Sequence, residues 1–177
     1  MREGGYVTSE KRRENIVTDL NRSDAPLTGA YLAKRYEVSR QIIVQDVAIL
    51  RAAGHDIIAT PQGYLMPKVS QTQRMTRVLA VKHDQNDIED ELNTIVDYGG
   101  KILDVIIEHP VYGEFKTRLM LSTRNDVKAY LDSMKKEEAE PLSALTEGVH
   151  LHTVEADSIV ILNEIEKILV QKGYLLK

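Results

Sequence analysis

Apolar positions follow a helical rhythm up to about residue 55 of this chain and a mixture of strand and helix rhythms from about residue 74 onward. Ile16, Val17 and Leu20 form an apolar edge behind a capping Thr8 or Ser9, which predicts a first helix. Thr28 caps a short second helix with Leu32 and Ala33 on its inner face. Ser39 caps a third, in which Ile43, Val47 and Leu50 fall at i, i+4 and i+7 and face a core, while Arg40, Gln41, Val44 and Gln45 stay outside. Gly54 ends that helix. Ile57–Thr60, the turn Pro61-Gln62-Gly63 and Tyr64–Met66 then read as two short strands around a tight turn. Two helices joined by so short a turn must cross steeply. The order helix, turn, helix, wing is that of a DNA-recognition unit.

Pro67–Gln73 is polar and aperiodic and reads as a linker, so the chain is expected to divide into domains of residues 1–68 and 69–177. Past it, 74–83 is strand-like, and 87–98 has helical spacing at Ile88, Leu92 and Ile95 and stops at Gly99-Gly100. Strands follow over 101–108 and 114–122, joined through His109-Pro-Val-Tyr-Gly113. A helix over 125–136, a strand over 149–155 and a closing helix over 158–172 complete the order β-α-β-β-α-β-α. Split β-α-β units of this kind build an antiparallel or mixed sheet with helices on one face, which places the whole chain in the α+β class.

Charge sharpens the division. The net charge is -4, yet residues 1–68 carry ten Lys/Arg against eight Asp/Glu, and 69–177 carry thirteen against nineteen. The acidity belongs to the second half, and phosphate contacts need only a local basic face. Cysteine is absent, which removes disulfides and thiolate metal sites and is compatible with a reducing compartment. The residues Met1-Arg-Glu-Gly-Gly begin no apolar leader, and no apolar run approaches a membrane span, so the expected location is the cytoplasm.

Two groups of residues carry chemistry. Arg40 and Gln41 occupy the first turn of the third helix, where Arg binds guanine and Gln adenine bidentately; Ser39, Gln45 and Thr28 surround them, and Gln62 on the wing is expected near phosphates. Lys11, Arg12 and Arg13 lie early in the first helix, within reach of the DNA backbone. The second group is built on His150-Leu-His152. On a strand, positions i and i+2 share a face about 6.6 to 6.8 Å apart, a span from which two imidazoles can lean onto one ion or simply face water. His83 ends the first strand of that domain. Glu91 lies i+3 from Ile88 and i−4 from Ile95, on or beside the apolar side of its helix, where an unpaired charge is costly and a cation would account for it.

Val38–Arg51, Val105–Gly113 (with Glu108-His-Pro-Val-Tyr-Gly113) and Leu145–His152 (with Gly148-Val-His-Leu-His152) together resemble the niacin-responsive transcriptional repressors of Gram-positive and related bacteria, which join a winged helix-turn-helix to a three-histidine, or 3H, domain. The resemblance covers about residues 8–174. It implies an HPr-like α+β fold for the second domain, a homodimer on double-stranded operator DNA, nicotinic acid as effector, and control of niacin uptake or NAD synthesis genes. It also implies a divalent transition metal, nickel or zinc, held by His83, Glu91, His150 and His152. His109, Tyr112 and Arg118 are the candidate effector contacts, because a pyridine carboxylate wants an aromatic wall and a cation. Two rivals stand beside this reading: a winged-helix regulator answering to the metal itself, and a metal-dependent hydrolase with an accessory DNA-binding module. No phosphate loop, nucleophile–base pair or zinc-protease helix supports the hydrolase.

Overall fold

A computed structural model describes residues 8–67 and 74–176, so the linker expected over Pro67–Gln73 lies, but for Pro67, outside the described residues, as does the amino-terminal pentapeptide. The chain divides into two compact units, Met1–Val69 and Ser70–Lys177.

In the first unit, α1 (Ser9–Arg22), α2 (Gly29–Arg35) and α3 (Arg40–Ala52) are each capped by the hydroxyl of the preceding residue: Thr8 accepts from Lys11 N, Thr28 from Tyr31 N and Ser39 from Ile42 N. Ile16, Leu20, Leu32, Ala33, Ile43, Val47, Leu50 and Ile57 form one core beneath them. Helix α3 ends in a Schellman motif: Gly54 has φ +94°, its N–H donates to Arg51 O, and His55 N–H donates to Leu50 O at 3.0 Å. The wing is β1 (Ile58–Thr60) against β2 (Gly63–Leu65), antiparallel. It is also tied to the start of α2, since Leu27 and Tyr64 exchange two backbone hydrogen bonds of 2.8 Å. Gly63 allows that approach: at φ +131°, a Cβ there would lie 2.5 Å from the Leu27 carbonyl oxygen.

The second unit holds β3 (Met75–Lys82), α4 (Ile88–Asp97), β4 (Lys101–His109), β5 (Gly113–Leu121), α5 (Arg124–Lys136), β6 (Val149–Ala156) and α6 (Ile159–Lys172), the β-α-β-β-α-β-α order expected from the sequence. The strands run in the order β3-β6-β4-β5, antiparallel throughout. Leu92 and Ile95 of α4 and Leu162, Ile165 and Leu169 of α6 pack on one sheet face against Leu79, Ile102, Val105, Leu119, Leu121 and Val154. Single turns of 3-10 helix at Gln85–Asp87 and Leu142–Thr146 were not legible in the periodicity, and neither was the register shift between Ile102 and Asp104. The carboxyl-terminal tail continues past α6 and pairs with the outer edge of β3 through a Val81–Leu175 bridge.

Candidate nucleic-acid interface and metal centre

Arg40, Gln41, Val44 and Gln45 are exposed along one side of α3, the consequence of turning Ile43, Val47 and Leu50 inward. The Arg40 stem runs over the start of α2: a Cβ on Gly29 would lie 3.6 Å from Arg40 Cγ and 3.7 Å from the Tyr64 ring. Ser39 and Thr28 are exposed beside it, though their hydroxyls are committed as helix caps. Gln62 differs from its expected role at the phosphates. Its amide oxygen and nitrogen are both buried, without a hydrogen-bond partner among the described residues.

Arg12 and Arg13 also differ. Both turn inward to Asp46 on α3, which is 2 % exposed: Arg12 Nε donates to Asp46 Oδ2 at 2.6 Å, and Arg13 Nη1 reaches Oδ1 at 3.4 Å. Removal of Asp46 from water is tolerable only because these guanidiniums meet it. Two of the three basic residues expected at the DNA backbone are therefore used to clamp α1 to α3. Lys11 remains exposed, paired with Glu14.

In the second unit the strand rhythm sends His150 and His152 to the helix-packed face, His83 follows the end of β3, and Glu91 projects from α4 between them. Glu91 is fully buried, His150 4 % exposed and His152 3 %. One carboxylate oxygen, Glu91 Oε2, stands 2.8 Å from His83 Nε2, 3.5 Å from His150 Nε2 and 3.6 Å from His152 Nε2. The ligand atoms of His83, Glu91 and His150 all lie within 4.8 Å of one another; His152 stands just apart from that trio and joins it through Glu91.

The other ring nitrogens define the chemistry. His83 Nδ1 is 2.8 Å from Asp84 O, His150 Nδ1 2.9 Å from Gly148 O and His152 Nδ1 2.7 Å from Asp104 O. A carbonyl oxygen only accepts, so each Nδ1 carries the proton and each neutral ring presents an Nε2 lone pair to Glu91. Three nitrogen lone pairs and a carboxylate then converge without a donor among them. The arrangement requires positive charge, supplied by protons or by a metal ion. Burial pushes the Glu91 carboxyl up, but where protons supply that charge, the charge of His152 and the hydrogen bonds that the protonated imidazoles donate outweigh it and hold the group well below its usual range. Burial likewise opposes charge on His83 and His152, and Glu91 outweighs it, raising both.

A metal fits this donor set. Tetrahedral ligands about 2.1 Å from an ion are about 3.4 Å apart, close to the Glu91–His150 and Glu91–His152 separations. The second carboxylate oxygen, Oε1, is buried with no partner among the described residues. A cavity of about 20 Å³ touches Glu91, His150 and His152, room for roughly one water-sized particle. Imidazole and carboxylate together suit zinc or nickel.

Gly148, with φ +86°, brings the β6 approach against β3: a Cβ there would lie 2.1 Å from the His83 carbonyl oxygen. Together with Asp104, whose carbonyl orients His152, it is a supporting residue that spacing alone did not single out. Gly148→Ala is expected to push the His83 backbone away and weaken zinc binding by about 10- to 100-fold, the usual effect of losing an outer support. Gly113→Ala, also at positive φ but with open space around it, is the control that should bind zinc normally in the same titration.

The expected effector contacts do not form one pocket. His109 Nδ1 accepts from Val111 N and Tyr112 N, so the ring braces its own turn and stacks on Tyr112 at 5.0 Å. Tyr112 is 74 % exposed at the hairpin tip. Arg118 lies opposite Asp104, five positions along β5 from the Gly113 that pairs with His109, about 17 Å at strand rise. It also faces the other side of the sheet from His152, whose register partner is Val105. A pyridine carboxylate cannot touch all three. A groove of about 550 Å³ opens instead beside the His/Glu cluster, bordered by Lys82, His83, Gln85, Ser143, Glu147 and Gly148.

Among the described residues no helix is long and apolar enough to cross a membrane. The 3H domain family matches residues 76–177, and a helix-turn-helix domain family matches residues 12–65. The chain is 42% identical to the "Probable transcription repressor NiaR" of Thermotoga maritima over 168 residues, 95% of each chain. It is 40% identical to the "Transcription repressor NadR" of Bacillus subtilis over 168 residues, 94% of this chain and 93% of that one. With a reading helix on a winged scaffold, a buried His/Glu centre on the second unit, and both relatives aligned along nearly their whole length, the chain belongs to the family of transcription repressors that join a helix-turn-helix to a 3H domain.

Proposed function

We propose that this chain represses transcription from an operator that it reads with α3, and that its 3H domain holds zinc or nickel and takes nicotinic acid as effector, controlling niacin uptake or NAD synthesis genes. The observation that carries the sensor half is the convergence of three Nε2 lone pairs on one buried carboxylate. His83, Glu91 and His150 would hold the ion, with His152 as the fourth ligand. The ion would supply the positive charge that draws a pyridine carboxylate. The groove beside His83 is where the ring would lie, with Lys82 as a second cation at its border. Resemblance to niacin-responsive repressors supports the choice of effector, and membership in a repressor family argues for a regulator rather than the hydrolase.

Linkage is the mechanism. If nicotinate binds better to the form that fits the operator, it raises operator affinity by that same factor, and the operator raises nicotinate affinity reciprocally. Two copies on a palindromic site would place their α3 helices about 34 to 36 Å apart. Arg40 and Gln41 would read base edges. Arg40→Ala is expected to weaken operator binding by about 1 to 3 kcal/mol while leaving random duplex nearly unchanged; an equal loss on both would assign Arg40 to phosphate.

The deciding experiment is calorimetry of nicotinic acid against metal-loaded protein, with nicotinamide and a chelated sample as controls, followed by operator binding with and without the acid. Binding of the acid alone, lost on chelation and coupled to DNA affinity, is the expected result. Operator binding that follows the metal and ignores the acid would make the protein a metal sensor instead.

A further inference from the structure

The two edges of the 3H sheet are treated differently. The outer edge of β3 is closed by the carboxyl-terminal tail, with Lys82 N donating to Tyr174 O and Leu176 N to Ala80 O. The edge formed by β5 carries no strand beyond it among the described residues, and Gly113–Arg118 are all exposed. A long open edge is a template for another strand, and proteins normally blunt it. Here the left-handed Met120, at φ +57°, disturbs only its far end.

The side chains on this edge have an unfinished charge pattern. Glu114, Lys116 and Arg118 point to the helix-free face. Lys116 is neutralised within the chain by Asp104 at 2.9 Å. Glu114 sits directly opposite Glu108 in the β4–β5 register, a like-charge pair, and neither it nor Arg118 has an ion-pair partner among the described residues. Phe115, on the other face, is 39 % exposed.

We infer that β5 pairs antiparallel with β5 of a second copy about a twofold axis at Lys116, joining two four-stranded sheets into one. That register sets Glu114 opposite the partner copy's Arg118 and, by symmetry, Arg118 opposite the partner copy's Glu114. It supplies the cation that the Glu108–Glu114 pair lacks and covers Phe115 with the partner copy's Thr117. The two Lys116 side chains meet on the axis, each offset by Asp104 of its own chain at 2.9 Å; an axis at Thr117 would set Lys116 against Arg118 twice, and an axis at Phe115 would spend Glu114 on the already neutralised Lys116 and leave Arg118 without a carboxylate. The inference rests on the reading that two copies act on one operator, and it names the surface that joins them.

The test uses the full chain without DNA, effector or metal, so that its outcome is independent of the sensing and repression assays. Sedimentation equilibrium is expected to show a dimer. Arg118→Glu and Glu114→Arg should each weaken it by at least about tenfold, since each turns two attractive pairs into two repulsive ones, and the double swap E114R/R118E should restore it. Because the chain has no cysteine, Glu114→Cys/Arg118→Cys is expected to form intermolecular disulfides on mild oxidation: directly opposed residues have Cα atoms about 4.5 to 5.5 Å apart, within disulfide reach. Circular dichroism and zinc binding of each variant establish that the fold is kept. A monomeric wild type, a dimer indifferent to both single swaps, or a double swap that fails to recover would each overturn the inference. Failure of nicotinate or operator binding in a protein that passes these tests would count against the proposed function alone.

Discussion

Loading chelator-stripped protein with zinc or nickel is expected to raise its thermal midpoint steeply, and Glu91→Gln to remove most of that rise. A ligand that binds only the folded state stabilises it by about 4 kcal/mol when present at about 1,000 times its Kd. For a domain of this size that corresponds to on the order of 15 °C or more. The substitution keeps the shape of the side chain and withdraws the charged donor on which all three Nε2 atoms converge. The loss in metal affinity should exceed the roughly 100-fold that an outer support can cost, which removes about 2.7 kcal/mol or more of the stabilisation. The metal-free variant is expected to remain folded, because the carboxamide can donate to one unprotonated Nε2. The pH dependence has a definite sign. His83 and His152 are raised in the folded protein, so the metal-free form gains stability at low pH and loses it as pH rises through those raised values. Metal binding needs the neutral rings, so it strengthens over the same interval and the loaded protein should not show the decline. Calorimetric melting of both forms across pH reads all of this; an E91Q variant that melts like the wild type when loaded would remove Glu91 from the ligand set.

Local chemistry accounts for what the sequence made legible. Thr28, Ser39 and Gly54 mark helix ends by satisfying orphan backbone groups, an effect confined to a few neighbouring residues, and the structure places α2 and α3 between them. Ile43, Val47 and Leu50 announce a buried stripe, and the same logic places Glu91 on the wrong side of α4, because an isolated charge there has no other explanation. Asp46, i+3 from Ile43 on the same inward face, is a buried acid too, but its partners lie 33 and 34 residues away on α1. Distance along the chain hides such pairs. The extra residue between Ile102 and Asp104 shifts the register by one without changing the strand rhythm, so the Asp104 carbonyl that orients His152 was beyond reach of periodicity. Arg118 and His109 looked like neighbours because both flank one hairpin; pairing register sets them far apart. Tyr112 is aromatic for its own turn, stacked on His109 and exposed to solvent.

Asp46→Ala is expected to destabilise the DNA-binding unit by about 3 kcal/mol, the lower end of the range for removing one partner from a buried ion pair. The lower end applies because the guanidiniums left behind are not deeply buried: the Arg12 and Arg13 side chains are 12% and 25% exposed and can turn to water. The effect is local, since Asp46 joins α1 to α3 within the first unit. Hydrogen exchange on the full chain reads it directly, as a rise of about 150-fold in the opening of α1 and α3 amides with β6 and α6 unchanged. Operator affinity should fall with it, because the surface presenting Arg40 and Gln41 is held in place by the same clamp. A second measurement separates clamping from phosphate contact. Each Lys or Arg that neutralises a phosphate contributes about one unit to the slope of log affinity against log salt. With both arginines committed to Asp46, Arg12→Gln and Arg13→Gln should lower operator affinity through stability while leaving that slope unchanged. A slope reduced by about one for either variant would return that arginine to the DNA backbone and make Asp46 a bystander in binding.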